Sequence, residues 1–232
     1  MKLSGHLIVY SIYLFLTFLT IGFSDAWTDS LTSSSNLYEK INSNYIIIAV
    51  RLYGTTAVFS PIISILNMQF MSVRIQIIFS TLIGLLGSLV LGLRPPVVGF
   101  TFGMIILGLG VNMVRFTSLA ILSQYSSSMI GILFGFSAIG LTVVPFILKL
   151  LSHDNWNMFF WILMSLFGLI TIFQFFLFRN FILAGSKGDS LSLSQKWKNV
   201  SVDGGMWKKT MSLTLSQLVS ESLVLLYIKL IM

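Results

Sequence analysis

The sequence predicts an all-α membrane protein, and three observations support that fold class. Of the 232 residues, 56% are apolar and only 9% are charged, whereas a soluble domain usually carries roughly 25% charged residues. Apolar runs long enough to cross a bilayer recur along nearly the whole chain. Polar residues inside those runs repeat at helical spacing. We therefore expect a polytopic bundle of helices in lipid.

The apolar runs predict six membrane spans joined by mostly short connections. They are Leu7–Ala26, Tyr45–Leu66, Ile75–Leu93, Val97–Leu122, Met129–Leu151 and Trp156–Phe178. Residues 1–178 are interpreted as the six-span bundle, 179–210 as a basic cytoplasmic loop, and 211–232 as a partial seventh span or an interfacial helix. In a crossing helix Glu221 would be a candidate for proton coupling, whereas in an interfacial helix it would stay hydrated.

The first span imitates a cleavable signal peptide. Lys2 precedes the apolar stretch Leu7–Phe23, and the small residues Ser24 and Ala26 follow it. The stretch is longer than the usual apolar region of about 7 to 15 residues, and it carries an ordered polar stripe that a discarded peptide would not need. We therefore interpret it as a membrane span.

The distribution of Lys and Arg predicts the orientation of the bundle. With a cytoplasmic N-terminus, three basic residues fall outside, Lys40, Arg94 and Lys149. Eight fall inside: Lys2, Arg74, Arg179, Lys187, Lys196, Lys198, Lys208 and Lys209. The basic segment after the sixth span suits a cytoplasmic loop near anionic lipid better than a nucleic-acid partner. The N-terminus is therefore expected to be cytoplasmic.

Polar residues form one stripe on each of three predicted spans, at spacings typical of one helix face. The stripes are Tyr10, Tyr13, Thr17, Thr20 and Ser24 on the first span, Tyr53, Thr56, Ser60, Ser64 and Asn67 on the second, and Thr101, Gly108, Asn112 and Arg115 on the fourth. A single hydroxyl commonly bonds back to its own helix, but three coherent stripes favour a shared water-filled cavity. The predicted substrate-cavity residues are Tyr13, Thr17, Thr20, Thr56, Ser60, Asn112 and Arg115.

Charged residues inside or near the spans need a partner or water. A guanidinium near the bilayer centre is costly unless it is paired or hydrated, so Arg115 would hold an anionic substrate group or a structural carboxylate. The alternative is that its head snorkels to cytoplasmic water. Arg51 lies opposite the polar stripe of its span, which favours snorkelling. Asp25 and Asp29 are expected to be solvated charges in the outer headgroup region.

The fifth predicted span carries a strip of small residues on one face. The strip contains Gly131, Gly135, Ala138, Thr142 and Pro145, spaced four, three, four and three residues apart. Helices in lipid associate through close packing, so we predict that this strip is a helix-packing face. Gly140 falls on the opposite, bulky side, where it would serve a second contact or add flexibility before Pro145.

Several of these marks coincide in one known family. They are the six spans, the cytoplasmic N-terminus, a fourth span with Gly108, Gly110 and an arginine, a fifth span with Gly131, Gly135, Gly140 and Pro145, and a long basic loop after the sixth span. In these features, the segment Leu7–Phe178 resembles the N-terminal half of a major facilitator superfamily transporter. The resemblance implies that spans one and four line a central cavity and that spans two and five lie at the seam between two halves.

The chain departs from that family in two respects. The family's loop between spans two and three usually reads Gly-x-Leu-x-Asp-Arg-x-Gly-Arg-Arg, of which Leu66 and Arg74 are present here. The family usually has twelve spans, whereas this chain stops near its seventh. The gene would then be truncated or split, or two copies would associate, so a second half-transporter or a homodimer is an expected partner.

Together these features predict a secondary-active transporter, or half-transporter, that moves a small solute by alternating access. The alternative is a truncated remnant or accessory membrane protein without transport activity. The chain has no cysteine and two histidines, and no ATP-binding glycine loop, so neither a metal nor another cofactor is expected. Ser137 lacks a paired intramembrane His or Asp, and no enzymatic activity is expected. The expected partners are the lipid bilayer and a small solute, which Arg115 would favour as an anion.

Overall fold

A computed structural model of the chain describes residues 5–33, 43–122, 127–151 and 156–183, together with Ser212, Leu215 and Val219. The described residues form six α-helices, which confirms the all-helical fold class. The helices are α1 (Gly5–Ser33), α2 (Ser43–Phe70), α3 (Val73–Gly92), α4 (Val97–Leu122), α5 (Ser127–Leu150) and α6 (Asn157–Leu183). Glu221 and most of the candidate seventh span lie outside the described residues.

Five helices are long and apolar enough to cross a membrane, through Tyr45–Asn67, Arg74–Gly92, Val97–Leu119, Gly131–Leu150 and Asn157–Leu177. In α1 a shorter apolar stretch, Ile12–Thr28, is found. Large apolar side chains such as Val98, Phe102 and Phe176 face outward, while many hydroxyl and amide side chains are buried. This distribution is the reverse of that in a soluble protein. It fits a multi-pass integral membrane protein, while the orientation of the N-terminus stays a prediction.

Three helices extend beyond the ends that hydropathy predicts. Helix α1 continues past Ala26 to Ser33, α2 past Leu66 to Phe70, and α6 past Phe178 to Leu183. The reason is that backbone hydrogen bonds, and not apolar side chains, determine where a helix ends. Within the extension of α1, the Thr28 hydroxyl donates to the Asp25 carbonyl at 2.7 Å. Asp25 therefore lies inside a helix and not in a loop after it.

The helix pairings follow a repeated pattern. Helix α4 packs along both α3 and α2, α1 packs along both α5 and α6, and α3 packs along α6. The pattern becomes clear when α1 is exchanged with α4, α2 with α5, and α3 with α6. The α1–α5 pair then corresponds to α4–α2, and the α1–α6 pair to α4–α3. The α3–α6 pair is unchanged. The exchange thus keeps the same helix pairs, although α1 packs on α6 over a smaller contact than α4 does on α3.

Glycines on α3 and α4 allow their backbones to come close. A Cβ atom built on Gly110 would overlap the backbone of Gly84, and one on Gly87 would overlap that of Leu107. The connection between these helices contains Arg94 at a φ of 53°. The Arg94 Nη2 donates to Asn157 Oδ1 at 2.7 Å, and Asn157 Nδ2 donates to the Gly92 carbonyl at 3.3 Å. The turn is therefore tied to the start of α6.

Helix α5 approaches α1 through Gly140. A Cβ atom on Gly140 would lie 2.6 Å from the Leu19 carbonyl oxygen, and one on Gly22 would overlap the Ser137 carbonyl. Of the two roles expected for Gly140, a helix contact and added flexibility before Pro145, the structure shows the contact. The side of α5 with Gly131 and Gly135 faces away, since neither has an atom within 4 Å of a built Cβ among the described residues.

Thr142 and Pro145 lie on the same side of α5 as Gly131 and Gly135. Thr142 is exposed and its hydroxyl donates to the Ala138 carbonyl at 2.8 Å, while Pro145 is half-buried. Because the side of α5 with Gly140 faces α1, the opposite side, which carries the strip, cannot face it. The packing role of Gly131, Gly135, Ala138, Thr142 and Pro145 thus stays a prediction that concerns a partner beyond the described residues.

Candidate functional site

A buried ion pair joins α1 to α4. The Arg115 Nη2 donates to Asp25 Oδ2, and the two side chains are 2% and 15% exposed. The prediction of Asp25 as a solvated charge in the headgroup region is therefore wrong, because α1 continues past it and directs it against α4. Of the alternatives for Arg115, the structure favours a structural carboxylate over snorkelling. Each charge offsets the desolvation cost of the other.

Tyr53 brings α2 into the same site. Its hydroxyl donates to Asp25 Oδ1 at 2.9 Å, so that each oxygen of the carboxylate accepts a hydrogen bond from a different helix. Hydrogen bonds to an ionised group are stronger than those between neutral groups. The position of Asp25 is therefore determined by both α2 and α4.

Asn112 links Arg115 to α2. Its Oδ1 accepts from Arg115 Nη1 at 2.7 Å, and its Nδ2 donates to Thr56 Oγ1 at 3.1 Å and to the Gly108 carbonyl at 2.9 Å. Residues three apart share a helix face, which places Asn112 beside Arg115. The Thr56 hydroxyl in turn donates to the Tyr53 carbonyl at 2.6 Å. The five side chains of Asp25, Tyr53, Thr56, Asn112 and Arg115 are called the ion-pair network below.

Gly108 allows α2 and α4 to lie close together. A Cβ atom built on Gly108 would lie 2.6 Å from Thr56 Oγ1 and 2.9 Å from Tyr53 Cδ2. Any larger residue would therefore push α2 away from α4. Because the Asn112 amide reaches Thr56 only at that separation, Gly108 is a structural requirement of the site.

The other predicted cavity residues lie elsewhere or bond within their own helices. Thr17 donates to the Tyr13 carbonyl at 2.8 Å and Thr20 to the Leu16 carbonyl at 2.7 Å, as single hydroxyls in membrane helices commonly do. The Ser60 hydroxyl faces the Leu109 carbonyl of α4 at 3.5 Å. All three side chains are buried. Of the seven predicted residues, the network thus contains Thr56, Asn112 and Arg115.

Tyr13 belongs to a second polar cluster, which ties α1 to α6 and α3. Gln174 Nε2 donates to the Tyr13 hydroxyl at 3.3 Å, and the Thr81 hydroxyl donates to Gln174 Oε1 at 2.7 Å. All three side chains are fully buried. A buried amide with both its ends bonded stabilises one arrangement of the three helices.

Two comparisons with known proteins, by family model and by curated sequence, give no match. No family model matches the chain, and no curated protein matches its sequence. The functional argument therefore depends on the residues and their geometry.

Sequence reasoning missed Asp25, Tyr53 and Gln174 as site residues. Tyr53 belongs to the polar stripe on the second span, but it is not among the predicted cavity residues. Asp25 directly follows Ser24, the last member of the first stripe, but it lies next to Ala26, the predicted end of the span, where a solvated charge is expected. Gln174 is an isolated amide in an apolar run, and an unexplained amide inside a span is the signal that could have identified it.

The ion-pair network can respond to a proton or to a charged ligand. If a proton neutralised Asp25, or if an anionic group bound Arg115, the attraction between α1 and α4 would weaken, and the remaining charge would need a new partner. The network therefore couples the chemical state of one buried carboxylate to the packing of three helices. A ligand shifts a conformational equilibrium only as far as it binds the two conformations with different affinity.

Proposed function

We propose that this protein is a secondary-active transporter, or half of one, that moves a small solute by alternating access, with the ion-pair network at its substrate cavity. The observation that carries the proposal is the pairing of Asp25 with Arg115 inside the helix bundle. Ionisable residues within membrane helices are rare and usually mark substrate or ion pathways. The network also joins α1 and α2 of one three-helix unit to α4 of the other.

The pairing of the helices supports the same proposal. Three spans are an odd number, so two consecutive three-helix units enter the membrane in opposite directions. Inverted repeats of this kind, with the binding site between them, are typical of secondary transporters, including each half of the major facilitator type. The exchange of α1–α5 with α4–α2 is the relation expected for such repeats. It supports the resemblance to that superfamily, which the sequence pattern suggests.

In this mechanism the solute competes for a member of the ion pair. A carboxylate or phosphate of the solute would bind Arg115, while a proton taken up by Asp25 would release Arg115 from its partner. Either event frees α1 to move against α4, and the motion would expose the cavity on the other side. Tyr53 and Asn112 would keep the released side chains in position, because each holds one of them by a separate hydrogen bond.

The test is transport by the purified full chain in proteoliposomes. Solute-dependent charge movement is recorded on a solid-supported membrane while sugars, amino acids, nucleosides and organic acids are applied in turn. We expect a response to at least one class in the wild type, and its loss in Asp25→Asn and Arg115→Gln. Arg51→Gln is the matched control, since Arg51 is an exposed arginine on α2, and it should respond as the wild type does.

Two results would count against the proposal. A wild-type protein that is folded but gives no response to any class would favour the accessory role without transport. A full response from Arg115→Gln would remove the ion pair from the transport pathway. Thermal unfolding of each variant in the same lipid separates these results from a failure to fold.

A further inference from the structure

Gln76 on α3 and Ser118 on α4 are fully buried polar residues whose side chains have no hydrogen-bond partner among the described residues. Both are 0% exposed, and the Gln76 Oε1, Gln76 Nε2 and Ser118 Oγ atoms are all without a partner there. An unmatched polar group is costly in a membrane protein, because lipid provides neither donor nor acceptor.

Other buried hydroxyls on α3 show the usual arrangement. The Ser80 hydroxyl donates to the Gln76 carbonyl at 2.7 Å, and the Ser88 hydroxyl donates to the Gly84 carbonyl at 2.9 Å. Both residues are 0% exposed, as Gln76 and Ser118 are. Burial alone therefore does not explain why the two unmatched side chains differ from their neighbours.

The packing of α3 on α4 places Gln76 and Ser118 at the same height along the axes of the two helices. The two helices are antiparallel and in contact where Gly87 meets Leu107. Gln76 precedes Gly87 by about three helical turns, and Ser118 follows Leu107 by about three turns. A whole number of turns returns to the same face, so both residues lie on the faces through which α3 and α4 meet.

We propose that Gln76 and Ser118 form a polar binding site between α3 and α4 for a small uncharged molecule that both donates and accepts hydrogen bonds. The Gln76 amide offers two N–H donors and one carbonyl acceptor, and the Ser118 hydroxyl can donate and accept. Water or a small neutral solute with a hydroxyl or amide group meets that requirement. An ion would gain no opposite charge from either side chain. The site contains none of the five residues of the ion-pair network, although Ser118 lies three residues after Arg115 on α4, and the proposal stands whether or not the protein is a transporter.

The test uses the absence of cysteine from the chain. Ser118→Cys and the matched control Ser88→Cys are each reconstituted in nanodiscs and treated with a small polar methanethiosulfonate. Because the thiolate is the reactive form and a polar environment favours it, we expect Ser118→Cys to react about tenfold faster than Ser88→Cys. Equal rates would overturn the proposal. If glycerol or acetamide slows the reaction of Ser118→Cys, the site takes a neutral solute, and if neither does so, it holds water.

A second measurement does not depend on chemical labelling. Gln76→Met keeps the length of the side chain and removes its amide. If a bound molecule bridges the amide to Ser118, the substitution loses those hydrogen bonds, and the melting temperature in nanodiscs falls. If the amide has no partner at all, its removal relieves a cost, and the melting temperature rises. A rise would overturn the proposal.

Discussion

Arg115 carries a charge inside α4 because Asp25 lies against it from α1, although the two residues are 90 positions apart in sequence. Tyr53 and Asn112 then hold the carboxylate and the guanidinium separately. At the scale of residues, the cost of the Asp25 charge thus depends on side chains from two other helices, and that of the Arg115 charge on Asp25 and Asn112. Removing one charge should be worse than removing both, because a lone buried charge has no compensation.

Asp25→Asn tests that expectation. The substitution leaves Arg115 without a carboxylate, and we expect the free energy of unfolding to fall by about 3 kcal/mol. The double variant Asp25→Asn/Arg115→Gln should recover part of that loss. Unfolding in mixed micelles by a denaturing detergent measures each value. A double variant that loses the sum of the two single effects would show that the pair does not interact.

Tyr53→Phe removes one hydrogen bond and leaves the aromatic ring in place. The Tyr53 hydroxyl donates to Asp25 Oδ1 at 2.9 Å, so we expect a loss of about 1 kcal/mol in the free energy of unfolding, toward the upper end for hydrogen bonds in membrane helices. Tyr45→Phe is the control, because Tyr45 lies on the same helix and is 51% exposed. Equal effects of the two substitutions would contradict the structure.

At the scale of elements, glycines on two opposite sides of α5 have different roles. Gly140 meets the backbone of α1, whereas Gly131 and Gly135 face outward from the described residues. On the first side a glycine makes close packing possible. On the second, glycine gives no contact within the described bundle and retains only its low helix propensity.

Alanine substitutions should therefore act in opposite directions on the two sides of α5. Gly140→Ala forces α1 away, and overpacking of this kind costs about 1 to 3 kcal/mol. Gly131→Ala should leave the free energy of unfolding unchanged or raise it by up to about 1 kcal/mol, because alanine is the better helix former. The same micelle titration measures both. A clear loss with Gly131→Ala would indicate that the small-residue strip packs against a partner.

At the scale of the whole molecule, the orientation of the helix bundle in the membrane is a prediction from the distribution of charge. The excess of basic residues predicts a cytoplasmic N-terminus. The turn between α2 and α3 would then be inside and the turn between α3 and α4 outside. Both turns contain exposed residues, Met71 at 37% and Leu93 at 64%.

Labelling of Met71→Cys and Leu93→Cys with a membrane-impermeant thiol reagent tests the orientation. In intact cells, we expect Leu93→Cys to react and Met71→Cys to be protected, because the basic segments stay on the cytoplasmic side. In inverted vesicles the result should be reversed. Reaction of both residues from one side would contradict a membrane-spanning α3, and the opposite pattern in both preparations would place the N-terminus outside.

The sequence by itself determined the helical class, the order of the six helices and most of their boundaries, since these depend on local hydropathy and on backbone bonds within one segment. It also identified Thr56, Asn112 and Arg115, because their spacing puts them on the polar faces of their helices. Only the tertiary structure decided that Asp25 pairs with Arg115 and that Gly140, and not the strip opposite it, meets α1. Helical spacing tells which residues share a face, but which faces meet is decided by packing between segments that are distant in the chain.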